Sequence, residues 1–298
     1  MQCFTGPKPF VPWREILGND FVKNYTQTQL GNIAEGIFFD GKLYWWQDDT
    51  GRWNCWQKED LKLQLRVKHH LRATASKQDA NGVSEIDAAI NYIHTYNRVE
   101  AALPFLHRPP GILIQDNTRF LNFSRCEALQ PSQDTITEWG QGFPWIANFL
   151  DEFFGQKQKP YFLAWLSHFY ANAVRREPVA GQAIFLVGDP GIGKTLLVNQ
   201  ILSRLVGGCV DASSYFLGES NYSADVLDKP IMLIDDTAPS TDHIRHTRYS
   251  AMIKKIVANR YLRYEQKYQK AGMVNWMGRV VVCCNSDPES IRLIPSLE

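Results

Sequence analysis

The spacing of apolar and polar positions changes twice along this chain and divides it into three parts. In the first, short aromatic runs alternate with turn residues: Ile37-Phe38-Phe39, Asp40-Gly41, Leu43-Tyr44-Trp45-Trp46, Asp48-Asp49-Thr50-Gly51 and Trp53. Asp-Gly between such runs predicts a β-hairpin, because glycine takes the positive φ that a tight turn demands. Residues 60–71, with leucines at 61, 63 and 65, fit neither the helical nor the strand period cleanly. Asp87 to Tyr96 predicts a short helix. Pro109-Pro110-Gly111 then breaks the chain, and Ile112 to Phe123 returns to strand character around an Asp116-Asn117 turn. Gln130 to Gly142 is polar and aperiodic, the composition of a linker.

The rhythm then becomes helical. Trp145, Ile146, Phe149, Leu150 and Phe153 share one helical face, and Phe162, Trp165, Leu166, Phe169 and Tyr170 repeat it after Pro160, a residue suited to opening a helix. From Ala183 onward apolar strands alternate with helices, the pattern of a parallel sheet flanked by helices. The expected organisation is an accessory domain over 1–135, β-rich or α+β, then a helical segment over 143–178 and an α/β domain over 179–298. No internal repeat is present.

Composition narrows the class without naming it. In 298 residues, 44% are hydrophobic and 21% charged, which excludes a disordered chain. No apolar run reaches the roughly 18–20 residues of a membrane span. Met1 to Phe10 carries two prolines and no apolar core, unlike a secretory signal, so a cytoplasmic address is expected. Six cysteines without a Cys-x-x-Cys pair read as reduced, buried thiols rather than a disulfide framework or a zinc site. The net charge of +1 is uninformative, but its distribution is not. Between His243 and Lys270 stand eight basic residues (Arg245, Arg248, Lys254, Lys255, Arg260, Arg263, Lys267, Lys270) against the single acid Glu265, a local excess suited to a polyanion.

The chemistry centres on Gly188-Asp189-Pro190-Gly191-Ile192-Gly193-Lys194-Thr195. The apolar run Ala183 to Val187 feeds into it, and Leu196, Leu197, Ile201, Leu202 and Leu205 continue as a helix that stops at Gly207-Gly208. Strand, glycine loop and helix is the context in which Gly-x-x-x-x-Gly-Lys-Thr binds a nucleotide. Glycines let the backbone wrap the phosphates, and free N–H groups at the helix start point at their charge. Lys194 is expected to reach the β- and γ-phosphates of ATP and Thr195 to ligate Mg²⁺. A second strand, Ile231 to Ile234, ends in Asp235-Asp236. Asp235 is expected to hold Mg²⁺ and Asp236 to polarise the attacking water, against the alternative that both cap the following loop. A third strand, Val280 to Cys284, ends at Asn285, whose amide can orient that water without adding charge, against the alternative that it only forms a turn. Asp48-Asp49 lies at a turn, and His243 and His246 lack a third ligand, so neither pair predicts a metal site.

In this order, the glycine-loop strand, the acid-ended strand, a basic hairpin and the Asn-ended strand resemble the superfamily three helicases, a branch of the AAA+ ATPases. The chain looks most like the helicase part of phage and plasmid primase-helicases of the poxvirus-type group. The likeness runs over about Pro178–Ser290, and more loosely over Phe39–Trp56. It implies a P-loop AAA+-like sheet, a homo-hexameric ring with ATP between subunits, and a pore hairpin that grips single-stranded DNA. In this chain the hairpin is Tyr261 to Gly272, expected to turn at Gln269–Gly272, with Lys267 and Lys270 on phosphates and Tyr268 stacked on a base. The alternative for these basic residues is a solvated face or ion pairs with a neighbouring subunit. The resemblance also calls for an arginine finger beyond the Asn strand. Only Arg292 stands there, with salt bridging or solvation as its alternative, and the ATPase domain is expected to be incomplete at its C-terminus. The accessory domain would recruit a primase or another replication partner, and no primase active site is found. Three rivals stay open: a AAA+ loader, initiator or remodelling ATPase acting on protein, a P-loop kinase, and a relic that binds ATP without turnover.

Overall fold

The computed structural model describes residues 29–75, 82–132, 139–177, 179–220, 222–235 and 243–295. The fold is mixed α/β with several sheets, one of them parallel and four-stranded. The chain divides into two compact units, Met1–Glu100 and Ala101–Glu298.

In the first unit, β1 (Ile37–Phe39), β2 (Tyr44–Gln47) and β3 (Trp53–Trp56) form an antiparallel meander. Gly41 has φ 95° in the first turn, as the Asp-Gly pair predicts. The buried Asp40 carboxylate organises that turn, accepting from the N–H groups of Lys42 and Leu43 and from Trp45 Nε1. Asp48 organises the second turn. It accepts from Thr50, Arg52 and Asn54, and these bonds hold its carboxyl well below the usual carboxylate range. The ambiguous leucine stretch is a helix, α1 (Lys58–His69): Leu61 and Leu65, four apart, are buried while Leu63 is exposed. Helix α2 (Glu85–Tyr96) starts slightly earlier than the sequence predicts, because Ser84 caps it by accepting from Asp87 N–H.

In the second unit, β4 (Ala102–Leu103), β6 (Thr118–Asn122) and β5 (Gly111–Gln115) form a small sheet, and Asp116 and Asn117 take φ 46° and 59° at the β5–β6 turn. This stretch, grouped by sequence with the accessory part, packs on the core of the second unit through Leu103, Phe105, Leu106 and Cys126.

The parallel sheet runs β7 (Ile184–Val187), β12 (Arg279–Cys284), β9 (Ile231–Asp235), β8 (Val210–Asp211). Its alternating residues feed two separate cores. Met232, Ile234, Val280, Val282 and Cys284 face Phe216, Tyr249 and Trp276, whereas Ile231, Leu233, Val281, Cys283 and Leu186 face Leu150, Phe162 and Phe169. Burial on both faces explains why these strands read as unbroken apolar runs. The aromatic residues of the second core lie on α3 (Pro144–Arg175). The two helical faces seen in the sequence are the two halves of α3, and the break falls at Gly155 (φ 60°, ψ 177°) rather than at Pro160. A Lys159–Asp151 ion pair spans that break.

Three consecutive sections make up α4: Lys194–Leu196, a wider π-helical Leu197–Leu202, and Ser203–Val206. It stops at Gly207 (φ 95°), where a Cβ would come within 2.4 Å of the Glu127 carbonyl oxygen. Next come α5 (Ser213–Leu217), α6 (Ala224–Leu227) and α7 (His243–Ala258), then the hairpin of β10 (Leu262–Tyr264) and β11 (Gly272–Val274). Among the described residues, no helix is long and apolar enough to cross a membrane. The described cysteines are free thiols and most are wholly or partly buried, but Cys55 is exposed, contrary to the reading of all six as buried.

Candidate functional site

Strand order creates the site. Because β12 lies between β7 and β9, the carboxyl ends of three strands open side by side, where ligands bind in open parallel sheets. Register fixes the alignment: Cys284 pairs with Val187, and Cys283 pairs with Asp235. Asn285, the next residue, therefore stands beside the start of the glycine loop, and Gly188 N–H donates to the Cys284 carbonyl at 3.3 Å.

The loop needs its glycines for two different reasons. Gly191 and Gly193 take φ 82° and 98°, and Gly193 gives the first helical residue, Lys194, a left-handed approach. At Gly188 a Cβ would stand 2.5 Å from Ile192 Cδ1, so a larger residue would make that exposed side chain move aside. Phe149 of α3 packs on Gly193 and stacks in parallel on Trp145, which stiffens the loop from below.

Lys194 is buried, and its ammonium donates to the carbonyls of Gly188 (2.7 Å) and Asp189 (2.9 Å) and to Asn285 Oδ1 (3.2 Å). A buried cation has to be matched by acceptors, and these three bring it to the mouth of the loop. Thr195 Oγ1 donates to both carboxylate oxygens of Asp235, at 3.1 and 2.9 Å. Hydroxyl and carboxylate together make a set of hard oxygen donors, the kind a small divalent cation takes. Behind Asp235 lies Cys283, whose thiol is pushed up to about 12 by burial and, secondarily, by the Asp235 charge. The thiol remains protonated and adds no charge to the site.

The structure thus brings Lys194, Thr195, Asp235 and Asn285 together, and Asp189 and Pro190 sit in the same loop. Asp236 lies outside the described residues. One further contact was not foreseen: Ser286 Oγ donates to Asp189 Oδ1 at 2.6 Å and ties the end of β12 to the loop. The polar run Asn285-Ser286-Asp287 was its only signal in the sequence. Beside the loop, a cavity of about 310 Å³ is lined by Ile192, β7 and aromatic residues of α3, among them Phe153, Phe162 and Trp165.

The basic hairpin forms a two-stranded sheet with Leu262 opposite Val274 and Tyr264 opposite Gly272. Its turn comes earlier than Gln269–Gly272, at Gln266–Gln269, where Gln269 N–H donates to the Gln266 carbonyl. Tyr268 carries the positive φ, 65°. Gly272 belongs to the strand instead, paired with Tyr264, and a Cβ there would meet Leu103 at 2.8 Å. At the tip Tyr268 is exposed, and the Lys267 ammonium lies 5.0 Å from its ring centroid. Arg292 sits exposed in the short helical turn Ser290–Leu293, where its carbonyl is met by His246 Nε2.

A family model described as "Family of unknown function (DUF5906)" matches residues 186–294, the stretch from β7 to the turn bearing Arg292. No curated protein matches the chain. Solved structures similar in fold include two described as apo forms of the NrS-1 C-terminal region, with TM-scores of 0.58 and 0.56 and 14% identity. Each likeness covers 88% of this chain and 56% of that chain, so this chain spans little more than half the length of those structures.

Proposed function

We propose that this chain is an ATP-driven helicase or translocase of the superfamily three type, with a P-loop AAA+ core, that moves along single-stranded nucleic acid during DNA replication. The convergence of Lys194, Thr195, Asp235 and Asn285 at the open ends of three adjacent parallel strands carries this reading.

Each described residue has a role that fits its position, and Asp236 takes its role from its place in the sequence after Asp235. Backbone N–H groups of Gly188–Thr195 surround the phosphates of ATP. Lys194 turns its ammonium from the Gly188 and Asp189 carbonyls toward phosphate oxygens, an exchange of one set of acceptors for another. Thr195 and Asp235 would hold Mg²⁺, which neutralises charge on the transferred phosphate. Asn285 orients the attacking water, and Asp236 polarises it. The Lys267–Tyr268–Lys270 tip contacts the strand, the cations on phosphates and the ring on a base. In a homo-hexameric ring, Arg292 is the arginine available to reach a neighbour's nucleotide. The first unit is the element available to a primase or another replication partner.

The test is ATP hydrolysis by the full chain with and without single-stranded DNA, beside Lys194→Ala. The expected result is hydrolysis that the strand accelerates and that Lys194→Ala abolishes. Turnover that rises only with a small phosphate acceptor would make the protein a kinase. Hydrolysis indifferent to nucleic acid would point to a protein-remodelling ATPase.

A further inference from the structure

Ser223 precedes α6 at the position where a serine ordinarily caps its own helix, yet its side chain makes no such bond. The hydroxyl is committed to the basic hairpin instead. Ser223 Oγ donates to the Arg263 carbonyl at 2.7 Å and accepts from Glu265 N–H at 2.8 Å, so it closes on the outgoing strand of the hairpin from both sides. Ala224 N–H adds a third bond, to the Glu265 carbonyl at 3.2 Å. Ser223 is buried, and a buried hydroxyl with both of its roles used resists rearrangement.

The stretch that follows the returning strand is held at the other end of the same segment. Trp276 Nε1 donates to the Lys229 carbonyl at 3.0 Å, and Arg279 N–H donates to the Pro230 carbonyl at 2.8 Å. Pro230 leads directly into β9 and Asp235, and Arg279 opens β12, which ends at Asn285. The outgoing strand of the hairpin and the stretch that joins its returning strand to β12 are therefore both bonded to the one segment, 223–230, that enters the acidic strand of the site.

We infer that Ser223 is a positioning residue that couples the basic hairpin to the phosphate site, so that strand contact at Lys267–Lys270 sets the rate at Asp235 and Asn285. This rests on the helicase reading above. Ser223 touches neither nucleotide nor nucleic acid in this scheme, so its removal acts on the coupling alone.

The experiment compares the full chain with Ser223→Ala and Ser223→Thr, reading the ATPase rate without DNA, the rate at saturating single-stranded DNA, and single-strand affinity by fluorescence anisotropy. Ser223→Ala is expected to keep the DNA-free rate and the affinity within about twofold while lowering the stimulation by about tenfold, the size of effect that loss of a coupling contact produces. Ser223→Thr, which keeps the hydroxyl, is expected to restore it. Full stimulation in Ser223→Ala overturns the proposal, and so does a parallel loss of basal rate and affinity. If circular dichroism shows Ser223→Ala unfolded, Trp276→Phe removes the bond to Lys229 from the stretch after the returning strand, with the same expectation and the same overturning result. A wild-type chain that hydrolyses ATP without responding to single strands overturns the helicase reading and this proposal with it.

Discussion

Lys194 Nζ and Asn285 Oδ1 lie 3.2 Å apart although 91 positions separate them. Parallel pairing of β12 with β7 produces this contact, because it aligns the strand ends to within one residue. If Asn285 orients water rather than building the fold, Asn285→Ala lowers the hydrolysis rate by about 10²-fold, as losing one oriented donor does in other active sites. Nucleotide affinity, read with a fluorescent ATP analogue, stays within a few-fold. A joint loss of rate and affinity would make Asn285 a brace for Lys194 instead.

Thr195 and Asp235 form the second close pair, and their hydroxyl and carboxylate oxygens are expected to share one cation. Thr195→Ala and Asp235→Asn should each raise the Mg²⁺ concentration needed for half-maximal hydrolysis by at least about tenfold, and the double variant should cost less than the sum, as partners at one site do. Magnesium titration of the four proteins decides it. Strict additivity would place the cation elsewhere.

The sequence already disclosed these groups because their chemistry is local. A glycine loop between an apolar strand and a helix, and acids or amides at the ends of apolar runs, are short-range signals. Strand order was not local. Nothing near Val280 says that β12 enters between β7 and β9, so the contacts of Asn285 with Lys194 and of Ser286 with Asp189 appear only in the fold. The hairpin turn was misplaced for a related reason. Gly272 invites a turn by its type, but it pairs with Tyr264 in the strand and lies close against Leu103, and exposed Tyr268 takes the positive φ. The same distant packing assigns 101–126 to the second unit, since Leu103 and Phe105 meet a core most of whose buried members lie beyond residue 200.

At the hairpin tip, Lys267 and Lys270 are expected to neutralise phosphates. Each contact on a single strand contributes about 0.7 to the slope of log affinity against log salt. Lys267→Ala with Lys270→Ala should therefore flatten that slope by about 1.4, and Tyr268→Ala should weaken binding with the slope unchanged. Anisotropy titrations at several salt concentrations separate the two. An unaltered slope in the double variant would remove the tip from the interface.

Arg279 is a buried cation, and among the described residues no carboxylate pairs with it. Nη1 donates to the carbonyls of Val179, Met277 and Gly278, and the guanidinium lies 5.0 Å from the Phe169 ring centroid. Burial pushes its pKa down to about 10, which still leaves it charged at neutral pH. Arg279→Ala strands three carbonyls and opens a gap beneath Phe169, at a cost of about 2–4 kcal/mol. Arg279→Lys should recover only part of this, because a strongly hydrated ammonium costs more to bury and lacks the flat guanidinium's packing on the Phe169 ring. Denaturant unfolding of the full chain measures both.

His107 gives a pH dependence whose sign is fixed by its surroundings. Its Nε2–H donates to the Val206 carbonyl at 2.7 Å, while Nδ1 is buried with no partner among the described residues. Burial pushes its pKa below the ordinary histidine value, outweighing the opposite pull of the Val206 bond. The folded state therefore keeps the ring neutral where the unfolded chain takes up a proton. That contribution to stability is intact above about pH 6.5 and is lost as the pH falls below it, by at most about 1.4 kcal/mol per pH unit. His69 and His94, in the first unit, are shifted the same way by burial, so the measurement is a difference between proteins. His107→Gln keeps an N–H for Val206 and cannot titrate. Its unfolding free energy should fall less steeply between pH 7 and 5 than that of the wild type. Parallel slopes would mean that His107 is protonated in the folded chain as readily as in the unfolded one.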